Sequence, residues 1–320
     1  MSKTEPTAGQ NAPKKTYQIK NWPEYDRALV KRGDLTIWFE AEMLSVGWLA
    51  APNGKRGAPF IYSGAAIQAL LVLKEVFKLT YRSLEGFAHS LLKLMKVDLP
   101  VPDHTHMSRR ASTLEVSIPR RTTTAPQHLV VDATGVKMYG EGEWKVRQHG
   151  IGKRRTWRKV HLAVDADSKE VVGVEVTTVN WADCEVFEDV LGQVEGDISQ
   201  VDAEGAYDTR AVYEAVVARG AQAVIPPREN AVPWEANHPR TLTLASIDSL
   251  GMPAWKNESG YHRRSLAENA MYRLKQLFSE RLASRQFDSQ VTEVQVRVAV
   301  MNIMTALGMP VSVCVGVTAS

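Results

Sequence analysis

Cysteine is almost absent from this chain. Its 320 residues hold two, Cys184 and Cys314, far apart and outside any Cys-x-x-Cys or Cys/His spacing. That scarcity excludes a disulfide framework and a structural zinc, and both thiols read as buried. His104 and His106 have no third ligand nearby and read as helix-start or surface residues rather than a metal pair. Long hydrophobic runs are missing too: the apolar stretch from Ala65 to Leu73 is far too short to span a bilayer. The opening MSKTEPTAGQNAPKK is polar, with Pro and Gly, and lacks the apolar centre of a signal peptide, so a cytoplasmic location is expected. No Walker-type phosphate loop and no internal repeat occur, which argues against an NTPase.

What remains is ordinary globular material, 44% apolar and 23% charged, with a net charge of only +3. The charge is unevenly spread. Between Trp144 and Val164 stand seven cations (Lys145, Arg147, Lys153, Arg154, Arg155, Arg158 and Lys159), no acid, and two interleaved tryptophans, Trp144 and Trp157. Such a run serves either as solvated surface or as a polyanion-binding patch.

Residues 1–16 read as a disordered tail. From Ser63 the apolar residues recur at helical spacing: Ile67, Leu70, Leu71, Val76 and Phe77, then Leu84, Phe87, Leu91, Leu94 and Met95 after Thr80. A third helix is expected to start at Asp103 and to present Arg109 and Arg110. Three such helices within residues 17–116 read as a helix-turn-helix-like DNA-binding domain, ahead of a plain helical bundle with the same pattern. The Thr- and Pro-rich segment 117–126 reads as a linker.

From residue 127 to about 310 the pattern is α/β. Strands are expected at Leu129 to Val131, Val160 to Val164, Val171 to Val179, Ile198 to Ala203 and Ala223 to Ile225. The second and third lie close enough in sequence to pair antiparallel. Helices are expected from Asp183, from Asp208 as cap to Arg219, around Glu268, and from about Asp288 to Leu307. Residues 228–261, with weak periodicity, read as an insertion, and 311–320 as a tail. The implied core is a mixed sheet flanked by helices.

Carboxylates fall at the ends of these elements. Asp132 follows the apolar run LVV, where it either caps the turn to Lys137 or stands anchored at the edge of the core. Asp202 and Glu204 end the fourth expected strand on one face. Tyr261, Arg264, Glu268 and Lys275 lie in YHRRSLAENAMYRLK, and Arg264, Glu268 and Lys275 fall within roughly 40° of one another on a helix. Leu266, Ala267, Ala270, Met271, Leu274, Leu277 and Phe278 form the opposite stripe. Ser265 with Glu268 also satisfies a capping box, and Arg264 with Glu268 an i,i+4 ion pair. Acids from two strands and a late helix, if they converge, suit a pair of divalent cations that clamp a phosphoryl displacement, and oxygen ligands suit Mg²⁺ or Mn²⁺.

The stretches VVDATGVKMYGEGEWKVRQHG, RRTWRKVHLAVD, GAYDTR, AVIPPREN and YHRRSLAENAMYRLKQLF resemble the DDE transposases of bacterial insertion sequences, specifically the insertion-sequence-five family. NWPEYDRALVKRG and the segment from Ser63 to Arg110 resemble that family's amino-terminal DNA-binding part. The resemblance implies a ribonuclease-H-like core with three metal-binding acids and two divalent ions. It implies terminal inverted repeats and target DNA as substrates, a dimer or larger assembly on DNA, and a place on the bacterial nucleoid when bound. By that match Asp132 is the first acid and Glu268 the third; the flanking Arg264 and Lys275, with Tyr261, are expected to position the phosphates on which the metals act. The family has Asp immediately before Gly-Ala-Tyr-Asp, and here that position is Glu204. Three outcomes stay open: Glu204 ligates after a backbone adjustment, Asp202 takes its place, or the chain is a weakened or inactive enzyme that still binds transposon ends.

Overall fold

A computed structural model describes residues 14–39, 44, 47–51, 60–138 and 157–318. The amino-terminal part comprises strand β1 (Lys14–Ile19) and helices α1 (Trp22–Lys31), α2 (Leu35–Trp38), α3 (Gly64–Val76), α4 (Tyr81–Leu94) and α5 (His104–Arg110). Local chemistry sets three of these helix starts. The side chains of Ser63, Thr80 and Asp103 accept the otherwise orphaned amides of Ala66, Ser83, and Thr105 with His106. Between α3 and α4 the chain reverses through Lys78 at φ 53°.

Among the described residues, five strands then build one sheet. They are β2 (Gln127–Lys137), β3 (Trp157–Asp165), β4 (Val171–Thr178), β5 (Ile198–Ala203) and β6 (Gln222–Val224), in the order β4-β3-β2-β5-β6. The first three pair antiparallel, whereas β5 joins β2 and β6 joins β5 in parallel. Parallel neighbours need crossovers, which α6 (Phe187–Gly192) and α7 (Arg210–Ala218) supply. Helices α8 (Pro239–Leu250), α9 (Met252–Glu258), α10 (Ser265–Phe278) and α11 (Phe287–Leu307) follow. Strand β7 (Ser312–Thr318) closes the chain by pairing with β1. This mixed α/β sheet, an antiparallel meander extended by parallel strands with helices on both faces, is the arrangement the residue pattern predicts and matches the ribonuclease-H-like core that the resemblance implies.

Strand alternation divides the core in two. Leu129 and Val131 face α6 and α7, packing with Val201, Phe187, Tyr213 and Val216. Val130 and Val136 face the other way, into a cluster that contains Leu274 of α10, Val298 of α11 and also Ile67, Leu70 and Leu84 of α3 and α4. The amino-terminal helices and the sheet therefore share one apolar core. Buried residues occur all round α11, as a helix enclosed by other elements requires. The 117–126 segment lies against this junction, with Asn302 Nδ2 donating to Pro119 O at 3.0 Å and Arg121 paired to Glu170. No helix among the described residues is long and apolar enough to cross a membrane.

Residues 228–261, read as an insertion, hold two helices, α8 and α9. Several other expectations need correction. Asp208 caps nothing: Thr209 precedes α7, and the Asp208 carboxylate is buried against Arg240, with Nε to Oδ1 at 2.6 Å and Nη2 to Oδ2 at 3.0 Å. Residues 14–19 and 312–318, expected within or beside tails, form a two-stranded ribbon. Cys184 is half-buried and Cys314 exposed.

The Asp208–Arg240 pair anchors α8 to the β5–α7 junction, and removing one partner strands a buried charge. Arg240→Ala is expected to loosen α8 and α9 by about 3 kcal/mol. Amide hydrogen exchange across residues 239–258 reads this directly, and unchanged protection there would contradict it.

Candidate metal and phosphate site

The register of the parallel pair β2–β5 creates the site. Val131 opposite Ala203 is their last matched pair, so Asp132 and Glu204 stand side by side where the strands part. Asp132 shares the face of Val130 and Val136, the face on which α10 packs. Its side chain is 14% exposed, against 46% for Glu204 and 54% for Glu268, so one acid is rooted in the core and two reach into solvent.

These three acids converge on one guanidinium. Arg264 ends a 3-10 turn (Tyr261–Arg264) immediately before α10. Its Nη1 donates to Glu204 Oε1 at 2.6 Å and to Asp132 Oδ2 at 3.4 Å, and its Nη2 pairs with Glu268 Oε1. Among the described residues no three metal-ligating side chains stand close enough to share one ion; the arginine fills the centre instead. The capping box read at Ser265 is not formed: the Ser265 hydroxyl donates to His262 O, and Glu268 spends its carboxylate on Arg264.

Burial drives the electrostatics of Asp132. Desolvation pushes its carboxyl up to about 6; the neighbouring Glu204 and Glu268 charges add to the rise, and the Ala133 amide and Arg264 oppose it. A carboxylate so disfavoured as a lone anion gains from a cation beside it. The donors are all carboxylate oxygens, the ligand chemistry of hard divalent cations, although here they are gathered round a guanidinium.

Flanking residues complete the surface. Lys275 Nζ donates to Thr134 Oγ1 at 2.7 Å, two residues along β2 from Asp132. Burial raises the Tyr261 hydroxyl above the ordinary phenol range, and the ring leans on Trp255 of α9 at 5.6 Å. Helix α9, which sequence periodicity missed, thus supports Tyr261.

Other expected residues lie elsewhere. Asp202 is fully buried and faces His128 and Gln200 rather than the three acids. Lys145, Arg147, Lys153, Arg154 and Arg155 lie outside the described residues. Arg158 donates to Gln290 and stacks over Phe287, and Lys159 is tied to Asp183 and to Trp181 O. Arg109 is exposed on α5. Arg110, expected on the same surface, is buried under the Phe60 ring 3.7 Å away, and desolvation lowers its guanidinium's proton affinity.

Comparison with known proteins adds two family-model matches and one structural likeness. A family model described as transposase DDE domain matches residues 123–303, and a second model of the same description matches residues 30–141. One solved structure, described as a piggyBac transposase synaptic complex with hairpin DNA, aligns with 88% of this chain and 75% of its own. That alignment has 10% identity and a TM-score of 0.38, too slight a likeness to carry an argument about the site.

Proposed function

The chain belongs to the transposase DDE domain family, and from that premise we propose that it is a metal-dependent DNA transposase. It binds the terminal inverted repeats of its element, cleaves the transposon ends and joins the freed 3′-OH to target DNA. The observation that carries this reading is the meeting of Asp132, Glu204 and Glu268, from β2, the end of β5 and α10, around one cation.

Those three acids would hold two divalent cations, Mg²⁺ or Mn²⁺, which when bound activate the attacking oxygen and stabilise the leaving one. The protein's own part is placement. Asp132, held by the sheet and by the Ala133 amide at 2.7 Å, fixes the inner edge of the site. Arg264, which touches all three acids, and Lys275, bonded to Thr134 two residues along β2 from Asp132, orient phosphate oxygens, Arg264 through its planar fork. Tyr261 borders them. Arg109 and the basic run from Lys145 to Lys159 supply backbone contacts along the duplex, so binding weakens steeply with salt. Pairing two ends calls for a dimer or larger assembly, and the cytoplasm is its place of action.

A second reading is an end-binding protein with little or no chemistry. The observation favouring it is Glu204, longer by one methylene than the aspartate of the family pattern. A displacement near 1 Å can cost about a hundredfold in a positioned reaction. The test compares cleavage of inverted-repeat DNA in Mg²⁺ and in Mn²⁺ by the native chain and by Glu204→Asp. Cleavage by both, faster by up to about a hundredfold in the variant, upholds the transposase. Cleavage by the variant alone upholds the end-binding protein. Cleavage by neither rejects the proposed site.

A further inference from the structure

We propose that Asp202, His128 and Arg263 form a brace that sets the turn 261–264 against the sheet, and that these are positioning residues for the three acids. The inference rests on the transposase reading for its functional meaning, though the brace itself is a matter of geometry.

Asp202 Oδ2 lies 2.9 Å from His128 Nε2, and His128 Nδ1 lies 3.1 Å from Arg263 Nη1. A guanidinium can only donate, so Nδ1 must accept and the imidazole carries its proton on Nε2, which donates to Asp202. The direction of each bond in the row is thereby fixed. Arg263 Nη2 is anchored in turn by Asp167. A second tie runs parallel to the first: Gln200 Nε2 donates to Asp202 Oδ1 at 2.7 Å and to Ser259 O at 3.0 Å.

Each member adjoins a site residue on its own element. His128 precedes Asp132 on β2, Asp202 precedes Glu204 at the end of β5, and Arg263 is joined to Arg264 at the head of α10. Elements brought together from distant parts of the chain are thus tied a few residues behind their working side chains. Asp202 is fully buried and His128 nearly so, whereas Arg263 is about one-third exposed. Asp202 accordingly does not stand in for the second acid; it holds the strand that carries it.

Because Arg263 is the exposed member, Arg263→Met detaches the turn while Asp202 and His128 keep each other. The expected result is faster amide exchange in residues 259–268 and Mn²⁺ binding, followed by water-proton relaxation, weakened about tenfold. Cleavage should fall by about tenfold to a hundredfold, with unchanged affinity for terminal-repeat DNA and an unchanged salt slope. His128→Gln, whose amide can accept from Arg263 and donate to Asp202, should stay near native in all of these, and His128→Leu should behave like Arg263→Met. Two results overturn the brace. One is native exchange and Mn²⁺ binding in Arg263→Met; the other is a drop in DNA affinity with the salt slope reduced by about one, which would make Arg263 a phosphate contact. Exchange and Mn²⁺ binding are readable without catalysis, so a native chain that fails to cleave DNA would count against the transposase reading and leave the brace to be judged separately.

Discussion

Glu268→Gln is expected to lower divalent-cation-dependent cleavage of terminal-repeat DNA by about a thousandfold or more while leaving DNA binding within about twofold. The substitution keeps the side chain's length, and the amide oxygen can still accept from Arg264 Nη2, the bond the carboxylate makes now. What disappears is one negative charge from a set of three. A ligated metal supplies several kcal/mol of transition-state stabilisation, and each 1.36 kcal/mol is a factor of ten in rate, so the loss of a ligand scales to about three decades. Glu268 is 54% exposed and sits in the first turn of α10, so the fold should tolerate the change. Cleavage within tenfold of native, measured on labelled duplexes in Mg²⁺, would remove Glu268 from the site.

Arg297→Ala is expected to cost about 3–5 kcal/mol of stability. Arg297 of α11 is 5% exposed. Its Nε donates to Glu75 Oε2 at 2.8 Å, Nη2 pairs with Glu293, and both Nη atoms reach Arg281 O at 3.3 Å. Burial alone would raise the Glu75 carboxyl, but Lys74, at 2.6 Å, and Arg297 together outweigh it and hold the group below its ordinary value. Without the guanidinium, Glu75 keeps only Lys74 and Glu293 only the amides of Ala283 and Ser284, so two buried carboxylates lose their shared cation and α3 loses its charged tie to α11. Urea unfolding followed by circular dichroism measures the effect; a loss under about 1 kcal/mol would show that the cavity relaxes or that water replaces the lost donors.

The two predictions depend on features of different legibility. The acids at 132 and 268, the short core strands and the long last helix were readable because each follows from local pattern: an apolar run, alternation, or helical spacing. Arg264 with Glu268 was readable as an i,i+4 pair. That the same guanidinium also reaches Glu204 and Asp132, 60 and 132 residues away in sequence, was not. Helices α8 and α9 escaped for a related reason. They are fixed by a buried ion pair from Arg240 to Asp208, and by Trp255 packing beneath Tyr261, rather than by a broad apolar stripe. Asp208 looked like a cap because Asp commonly precedes helices, yet its partner comes 32 residues later. The β1–β7 ribbon joins segments far apart in sequence, with Lys14 opposite Thr318 and Ile19 opposite Ser312, and no local signal announces such a pairing. Arg110 matched a recognition-helix pattern by spacing alone, and only three-dimensional packing puts Phe60 over it.

The common core of the amino-terminal helices and the sheet has a further consequence. Ile67 and Leu84 are embedded with Val130 and Val298, so any movement of one region against the other has to break packing that both share. On the proposed reading, a duplex gripped by the helices meets the acids at one set offset, and the molecule acts as a gauge that counts from the grasped base pairs to the cut. Lengthening the strap at 117–126 should leave that count unaltered, since the interlocked side chains, rather than the connecting peptide, keep the spacing.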